Sequence, residues 1–209
     1  MSQTVDYFFA PQSPWTYLGH ARFVAMAQAA VATVKVMPVD LGKVFPVSGG
    51  LPLARRAPQR QAYRLVDLKR FGDHLNLPIN IQPKYFPVVS DDAARLIIAV
   101  DMADGQPSAL RIAGAMMAAV WVQERNIADA AVLAGLLNES GLHPARLEQS
   151  RVAAVQQQYE ATTQAAVTAG VFGAPSYCIA GEMFWGQDRL DFVAQRLGLG
   201  VSAAKIPAP

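Results

Sequence analysis

The chain has 209 residues, a formal charge of +2 and 52% apolar residues. That length can bury one sizeable core, and that apolar fraction excludes a disordered chain. So small a charge, with no basic run interleaved with stacking aromatics, excludes a nucleic-acid partner. The longest apolar run, Ile112 to Val122, is too short to span a bilayer, and the first residues lack a signal peptide's charged and apolar regions. The expectation is a cytoplasmic protein without membrane contact. The single cysteine, Cys178, cannot form an internal disulfide, and Tyr177-Cys178-Ile179 reads as a buried strand.

The first strand is signalled by Val5, Tyr7 and Phe9, which alternate with Asp6 and Phe8 before Pro11 breaks the ladder. Ser13 is a favoured N-cap and Pro14 a favoured first helical residue, so a helix opens there. Its Tyr17, Ala21 and Val24 recur at helical spacing and are expected to face a sheet. Val34, Val36 and Val39 give a second strand ending near Asp40, so strand, helix and strand form a crossover unit with parallel strands.

Phe45 to Pro58 is rich in Gly and Pro and reads as a long loop. A helix follows from about Pro58 to His74. Arg56, Arg60 and Arg64 are spaced by four and share a face if that helix reaches back far enough. They form either a solvated basic face or a clamp for a carboxylate. Leu77-Pro78 and Pro83-Lys84-Tyr85-Phe86-Pro87 frame a second loop. Asp91 and Asp92 then cap a helix through Val100, and Pro107 starts another whose Leu110, Ala113, Met117, Val120 and Trp121 make an apolar stripe. Met116, Met117 and Trp121 belong to the core or line an apolar pocket. Ala131 to Leu137 and Pro144 to Tyr159 read as two more helices separated by Gly141. Ser176 to Ile179 and Met183 to Trp185 form a hairpin, a final helix runs from Gln187 to Leu197, and the tail from Gly198 is expected to be loosely ordered.

Ser13-Pro14-Trp15-Thr16 stands where a thioredoxin-like fold carries a Cys-Pro-x-Cys motif, with hydroxyls in place of both thiols. Together with Asp40-Leu41, Gly170-Val171-Phe172-Gly173-Ala174-Pro175-Ser176 and Phe184-Trp185-Gly186-Gln187-Asp188-Arg189-Leu190, it resembles the 2-hydroxychromene-2-carboxylate isomerases. These are the bacterial branch of the kappa glutathione transferases, related to the disulfide oxidoreductases of the DsbA type. The likeness runs to about residue 198. It implies an α/β, thioredoxin-like fold with a large all-helical insertion between the βαβ and ββα halves. The thioredoxin-like part would comprise 1–44 and 166–209, the insertion 45–165.

The resemblance implies a cis-proline at Ala174-Pro175, beside the active helix, where the Ala174 backbone can pair with glutathione as with an added strand. With no cysteine at the turn, the reactive sulfur must come from glutathione. A free thiol has a pKa of about 8.5, and lowering it by two units needs about 2.7 kcal/mol. A hydroxyl donated to charged sulfur supplies about 1.5 to 3 kcal/mol and a helix N-terminus about 0.3 to 1 more, so Ser13 suits the part of thiolate stabiliser. Serine-hydrolase chemistry would need a base, and His20, His74 and His143 lie elsewhere by motif. The same scatter argues against a metal site.

Trp185, Gly186, Gln187 and Asp188 would complete the glutathione site with Ser13, Ala174 and Pro175. Asp188 either grips the γ-glutamyl ammonium or simply complements the helix dipole. The implied reaction interconverts 2-hydroxychromene-2-carboxylate and trans-o-hydroxybenzylidenepyruvate. In it glutathione adds reversibly to an electrophilic carbon and leaves after bond rotation. The implied substrate positions are Phe45, Ala54, Arg55 and Tyr85, with Arg60 as a further cation. Where the resembled family carries Lys and Asn, this chain has Phe45 and Ala54. A kappa-like transferase and a non-catalytic glutathione binder are the alternative readings, and the resemblance implies a homodimer.

Overall fold

The computed structural model describes residues 3–200, so the expected loose tail lies outside the described residues from position 201 on. The sheet consists of β1 (Thr4–Phe9), β2 (Thr33–Pro38), β3 (Ser176–Ile179) and β4 (Glu182–Trp185), in the order β2-β1-β3-β4. β1 and β2 run parallel, joined by α1 (Pro14–Ala29), and β3 pairs antiparallel with both β1 and β4. The expected βαβ and ββα halves thus meet at the β1–β3 ladder. The β3–β4 hairpin turns at Ala180 and Gly181, both with positive φ, as a two-residue turn matched to strand twist requires.

Alternation along β1 divides the core. Val5, Tyr7 and Phe9 belong to one large buried cluster and Phe8 to a second one on the other face. In α1 the buried residues are Pro14, Thr16, Leu18, Gly19, His20, Phe23, Met26 and Ala27. The expected sheet-facing set of Tyr17, Ala21 and Val24 is only partly buried and lies well away from the buried face. The error came from following apolar residues in a helix whose inward face includes a glycine and a histidine.

Between β2 and β3 lie α2 (Leu41–Ser48), α3 (Pro58–Leu75), α4 (Asp91–Asp104), α5 (Gln106–Trp121), α6 (Ala130–Glu139), α7 (Arg146–Gln149) and α8 (Ala153–Thr168). The expected loop from Phe45 is shorter than predicted, because α2 continues through Phe45 and Pro46 and ends at Gly49, whose φ of 76° makes it a left-handed cap. A 3-10 turn, Leu53–Arg55, interrupts the remaining loop. The expected helix Pro144–Tyr159 is two helices, broken at 150–152, and the second continues to Thr168. Ser90, not Asp91 or Asp92, is the N-cap of α4, and both aspartates lie in its first turn.

The expected edges at 44/45 and 165/166 fall inside α2 and α8. The large cluster includes Leu68 of α3, Leu96 and Ile97 of α4, and Ile112, Met116, Met117 and Trp121 of α5, together with β1 residues. The insertion therefore shares one core with the sheet layer. Met116, Met117 and Trp121 are all fully buried in it. The chain closes with a 3-10 turn, Gln187–Arg189, and α9 (Leu190–Arg196), where a single helix from Gln187 was expected.

Candidate active site

Ser13 ends the turn after β1 and caps α1 in extended backbone, with φ −74° and ψ 124°. Its N–H donates to the Ala10 carbonyl at 2.9 Å, while its Oγ accepts from the Thr16 N–H at 3.2 Å. The Ser13 hydroxyl reaches the Ala174 carbonyl at 3.4 Å, a long bond that leaves the rotor free to turn towards a stronger acceptor. The other hydroxyl of the motif does not reach the same space. Thr16 is fully buried, and its Oγ1 has no partner among the described residues.

Ala174-Pro175 is a cis peptide, and among the described residues the Ala174 N–H has no acceptor. An unpaired backbone donor beside the Ser13 hydroxyl is what an extended peptide ligand needs from a sheet edge. The segment is tied on both sides, by the Ser176 hydroxyl donating to Gly173 at 2.8 Å and by the Gly186 N–H donating to Pro175 at 2.9 Å. Gly186 has φ 103°, a backbone that side-chain-bearing residues rarely adopt. The exposed Trp185 stacks edge-on with Phe172 at 4.8 Å, and a Cβ at Gly173 would strike its indole. These residues fit a peptide that lies along 173–175 and ends near Gly186–Asp188.

Within that last group the side chains divide. Asp188 is exposed, and its carboxylate accepts from Arg189 at 2.7 Å. An exposed ion pair of this kind is weak, so its carboxylate is available to a second cation. Gln187 points the other way. It is 2% exposed, and its Oε1 and backbone carbonyl both accept from Arg22. Gln187 thus contributes its backbone at most, while its side chain anchors the turn to α1. Gly19 permits the close approach, since a Cβ there would lie 2.8 Å from the Gln187 Cβ. Sequence reasoning missed Gly19 and Arg22. Their spacing places them on one side of α1, but nothing in it names Gln187 as the partner.

On the insertion side, Phe45, Ala54, Arg55, Tyr85 and Arg60 occupy α2, the 3-10 turn, the 83–87 loop and α3. Ala54, Arg55 and Arg60 are exposed, whereas Phe45 and Tyr85 are half-buried. Lys84 lies over the Tyr85 ring at 5.1 Å, and Arg56 lies 6.0 Å from the Phe45 ring. Arg56 sits just before α3, so the arginines do not share one helix as the spacing suggested. They are nevertheless neighbours electrostatically. Burial and then the Arg60 charge lower the Arg56 pKa; burial and then Arg56 bring Arg64 down to about 10. The Arg64 guanidinium lies between Phe86 at 4.9 Å and Trp121 at 5.7 Å. The Trp121 Nε1 donates to the Gln12 carbonyl at 3.2 Å, and Gln12 is the residue before Ser13. Arg64 is therefore linked to the active turn through Trp121.

The histidines take no part. His20 is buried in the core, bonded to Tyr7 at 3.1 Å and to the Leu110 carbonyl at 2.9 Å. Burial lowers its pKa to about 4, against the Leu110 bond, which raises it. His143 Nδ1 accepts from the Ala145 N–H at 3.2 Å. Among the described residues no group of three His, Cys, Asp or Glu side chains is placed to hold a metal. Cys178 is buried, and desolvation followed by the Asp6 charge pushes its thiol up to about 11, which makes it inert. Among the described residues no helix is long and apolar enough to cross a membrane.

A capped helix N-terminus that meets a cis-proline segment across the β1–β3 ladder defines a thioredoxin-like protein, here with alcohols where such a site carries thiols. The chain belongs to the family of the DsbA-like thioredoxin domain, which it matches over residues 4–198. It is 28% identical to 2-hydroxychromene-2-carboxylate isomerase of Sphingobium xenophagum, over 94% of this chain and 99% of that protein. It is 25% identical to human glutathione S-transferase kappa 1, over 95% and 92% respectively. The solved structure of a 2-hydroxychromene-2-carboxylate isomerase superposes with a TM-score of 0.79 at 26% identity, covering 93% of this chain and 94% of the other. These relatives are enzymes, and the resemblance read from the sequence is matched by all three.

Proposed function

We propose that the protein is a glutathione-dependent isomerase that interconverts 2-hydroxychromene-2-carboxylate and trans-o-hydroxybenzylidenepyruvate. The observation that carries this reading is the Ser13 hydroxyl, held at a helix N-terminus and 3.4 Å from the carbonyl before a cis-proline. Glutathione, when bound, supplies the thiolate that adds reversibly to the electrophilic carbon. Ser13 holds the sulfur ionised by turning its O–H from Ala174, and the positive end of α1 adds its dipole. Ala174 pairs its backbone with the peptide, Pro175 and Trp185 bound it, Gly186 and the Gln187 backbone shape the turn, and Asp188 meets the γ-glutamyl ammonium. Phe45, Ala54, Arg55 and Tyr85 flank the aromatic substrate, and Arg60 adds positive potential at the mouth. The names and coverage of the relatives support this assignment.

Kappa-like transfer is the second reading, favoured by the likeness to the human kappa enzyme. A spectrophotometric assay on 2-hydroxychromene-2-carboxylate separates the two. Isomerisation requires glutathione and returns it unmodified, whereas transfer consumes it and accumulates a thioether. No absorbance change with glutathione present would reject the isomerase. A cytoplasmic homodimer belongs to the same reading, and equilibrium sedimentation at twice the 22.5 kDa chain mass checks the dimer.

A further inference from the structure

Arg64 is the one strongly buried cation whose countercharge the described residues do not provide. It is 9% exposed, its Nη2 is shielded without a hydrogen-bond acceptor, and among the described residues no carboxylate pairs with it. Its immediate neighbours are two aromatic faces, Phe86 and Trp121, and the nearest charges are the like charges of the arginine row. A buried guanidinium without a partner is a costly arrangement for folding alone. It becomes favourable once a planar anion fills the fork.

We infer that Arg64, set between Phe86 and Trp121, is the carboxylate-recognition point for an aromatic acid whose ring lies against the half-buried Phe86. This rests on the isomerase reading for the identity of the acid. Three features make the acid's class specific. The guanidinium fork matches a carboxylate, and the half-buried Phe86 ring favours an aromatic body over an aliphatic one. The bond from Trp121 to Gln12 places the subsite beside the active turn, so an acid held there presents its remaining atoms towards Ser13. Arg60, one turn earlier on α3, is exposed and Arg56 half-buried, so positive charge leads inwards from the surface. The expected substrate positions Phe45 and Ala54 carry no charge. Phe45 instead supports Arg56 from 6.0 Å, which leaves the anion to the arginine row.

The test uses trans-cinnamate, an unreactive aromatic carboxylate, with cinnamyl alcohol as its uncharged counterpart, titrated calorimetrically into the full chain. The intact protein should bind cinnamate in preference to the alcohol. Arg64→Gln and Arg64→Met should weaken cinnamate by about tenfold or more, the lower end for a charged hydrogen bond, and leave the alcohol within about twofold. Both variants should melt at or above the parent temperature, because an unpartnered buried charge has been removed. Equal cinnamate affinity in parent and variants would overturn the inference, as would a lowered melting temperature in both, which would make Arg64 a support of the fold. Loss of glutathione binding with cinnamate binding intact in Arg64→Gln would overturn it too, by assigning the fork to glutathione's own carboxylate. Failure of the isomerase reading is visible separately, because the cinnamate titration needs neither glutathione nor turnover.

Discussion

Acid should destabilise this protein through His20 before its carboxylates titrate. The ring is buried beside Tyr7, Phe9 and Leu110, and its pKa falls from 6.5 to about 4. With Nε2 donating to the Leu110 carbonyl, Nδ1 accepts from the Tyr7 hydroxyl, and a second ring proton would break that bond. The folded state therefore binds a proton less readily than the unfolded chain. The stability this provides is complete above pH 6.5, declines as the pH falls, and is gone below about 4. At 1.36 kcal/mol per pH unit, the gap between 6.5 and 4 is worth about 3 kcal/mol. Asp101, whose carboxyl burial pushes up, contributes in the opposite direction as the pH falls. Asp104, held down by its bond from Arg146, loses its contribution only below the ordinary carboxylate range. Urea unfolding at pH 7, 6, 5 and 4 on the parent and on His20→Gln isolates the histidine, since both carboxylates are common to the pair. The parent should lose about 3 kcal/mol more than the variant over that interval. Parallel losses in the two would refute the assignment.

Two further outcomes follow from the packing. Gly19→Ala puts a Cβ 2.8 Å from the Gln187 Cβ and 3.1 Å from the Tyr177 hydroxyl, both rooted in buried segments. Urea denaturation should show a loss of about 1 to 3 kcal/mol, the usual cost of overpacking, and calorimetry should show weaker glutathione binding as the 186–188 turn shifts. Unchanged values for both would mean that the turn is not anchored through α1. Cys178 should resist an aromatic disulfide reagent at pH 8 in the folded protein and react at once in guanidinium, given its burial and a thiol pushed up to about 11. Rapid labelling of the native protein would contradict its placement in β3.

Much of this fold was legible because its signals are local. The alternation in β1, Ser13 and Pro14 at the start of α1, and the glycine of the β3–β4 turn each fix an element by backbone preference alone. Errors arose where tertiary contacts override such preferences. Pro46 marks no helix end, because Val44 buries α2 against the second cluster. The inward face of α1 is set by Gly19 approaching Gln187 and His20 reaching Tyr7, neither of which an apolar count reveals. At the site, the motif order identified Ser13, Ala174 and Pro175, and the structure brings them together. The inward turn of Gln187 and the isolation of Arg64 depend on partners more than 20 residues away along the chain, Arg22 for the one and Phe86 and Trp121 among those around the other, and were invisible until those segments were packed.

The claim that an alcohol at residue 13 keeps a guest thiol ionised is tested most directly by titrating the ultraviolet thiolate absorbance of bound glutathione, in the parent and in Ser13→Ala. The parent should hold the thiol about two pH units below its free value of about 8.5. The variant should recover at least about one of those units while losing about 1 kcal/mol of stability with its helix cap. The same thiolate titration in both proteins would contradict the account.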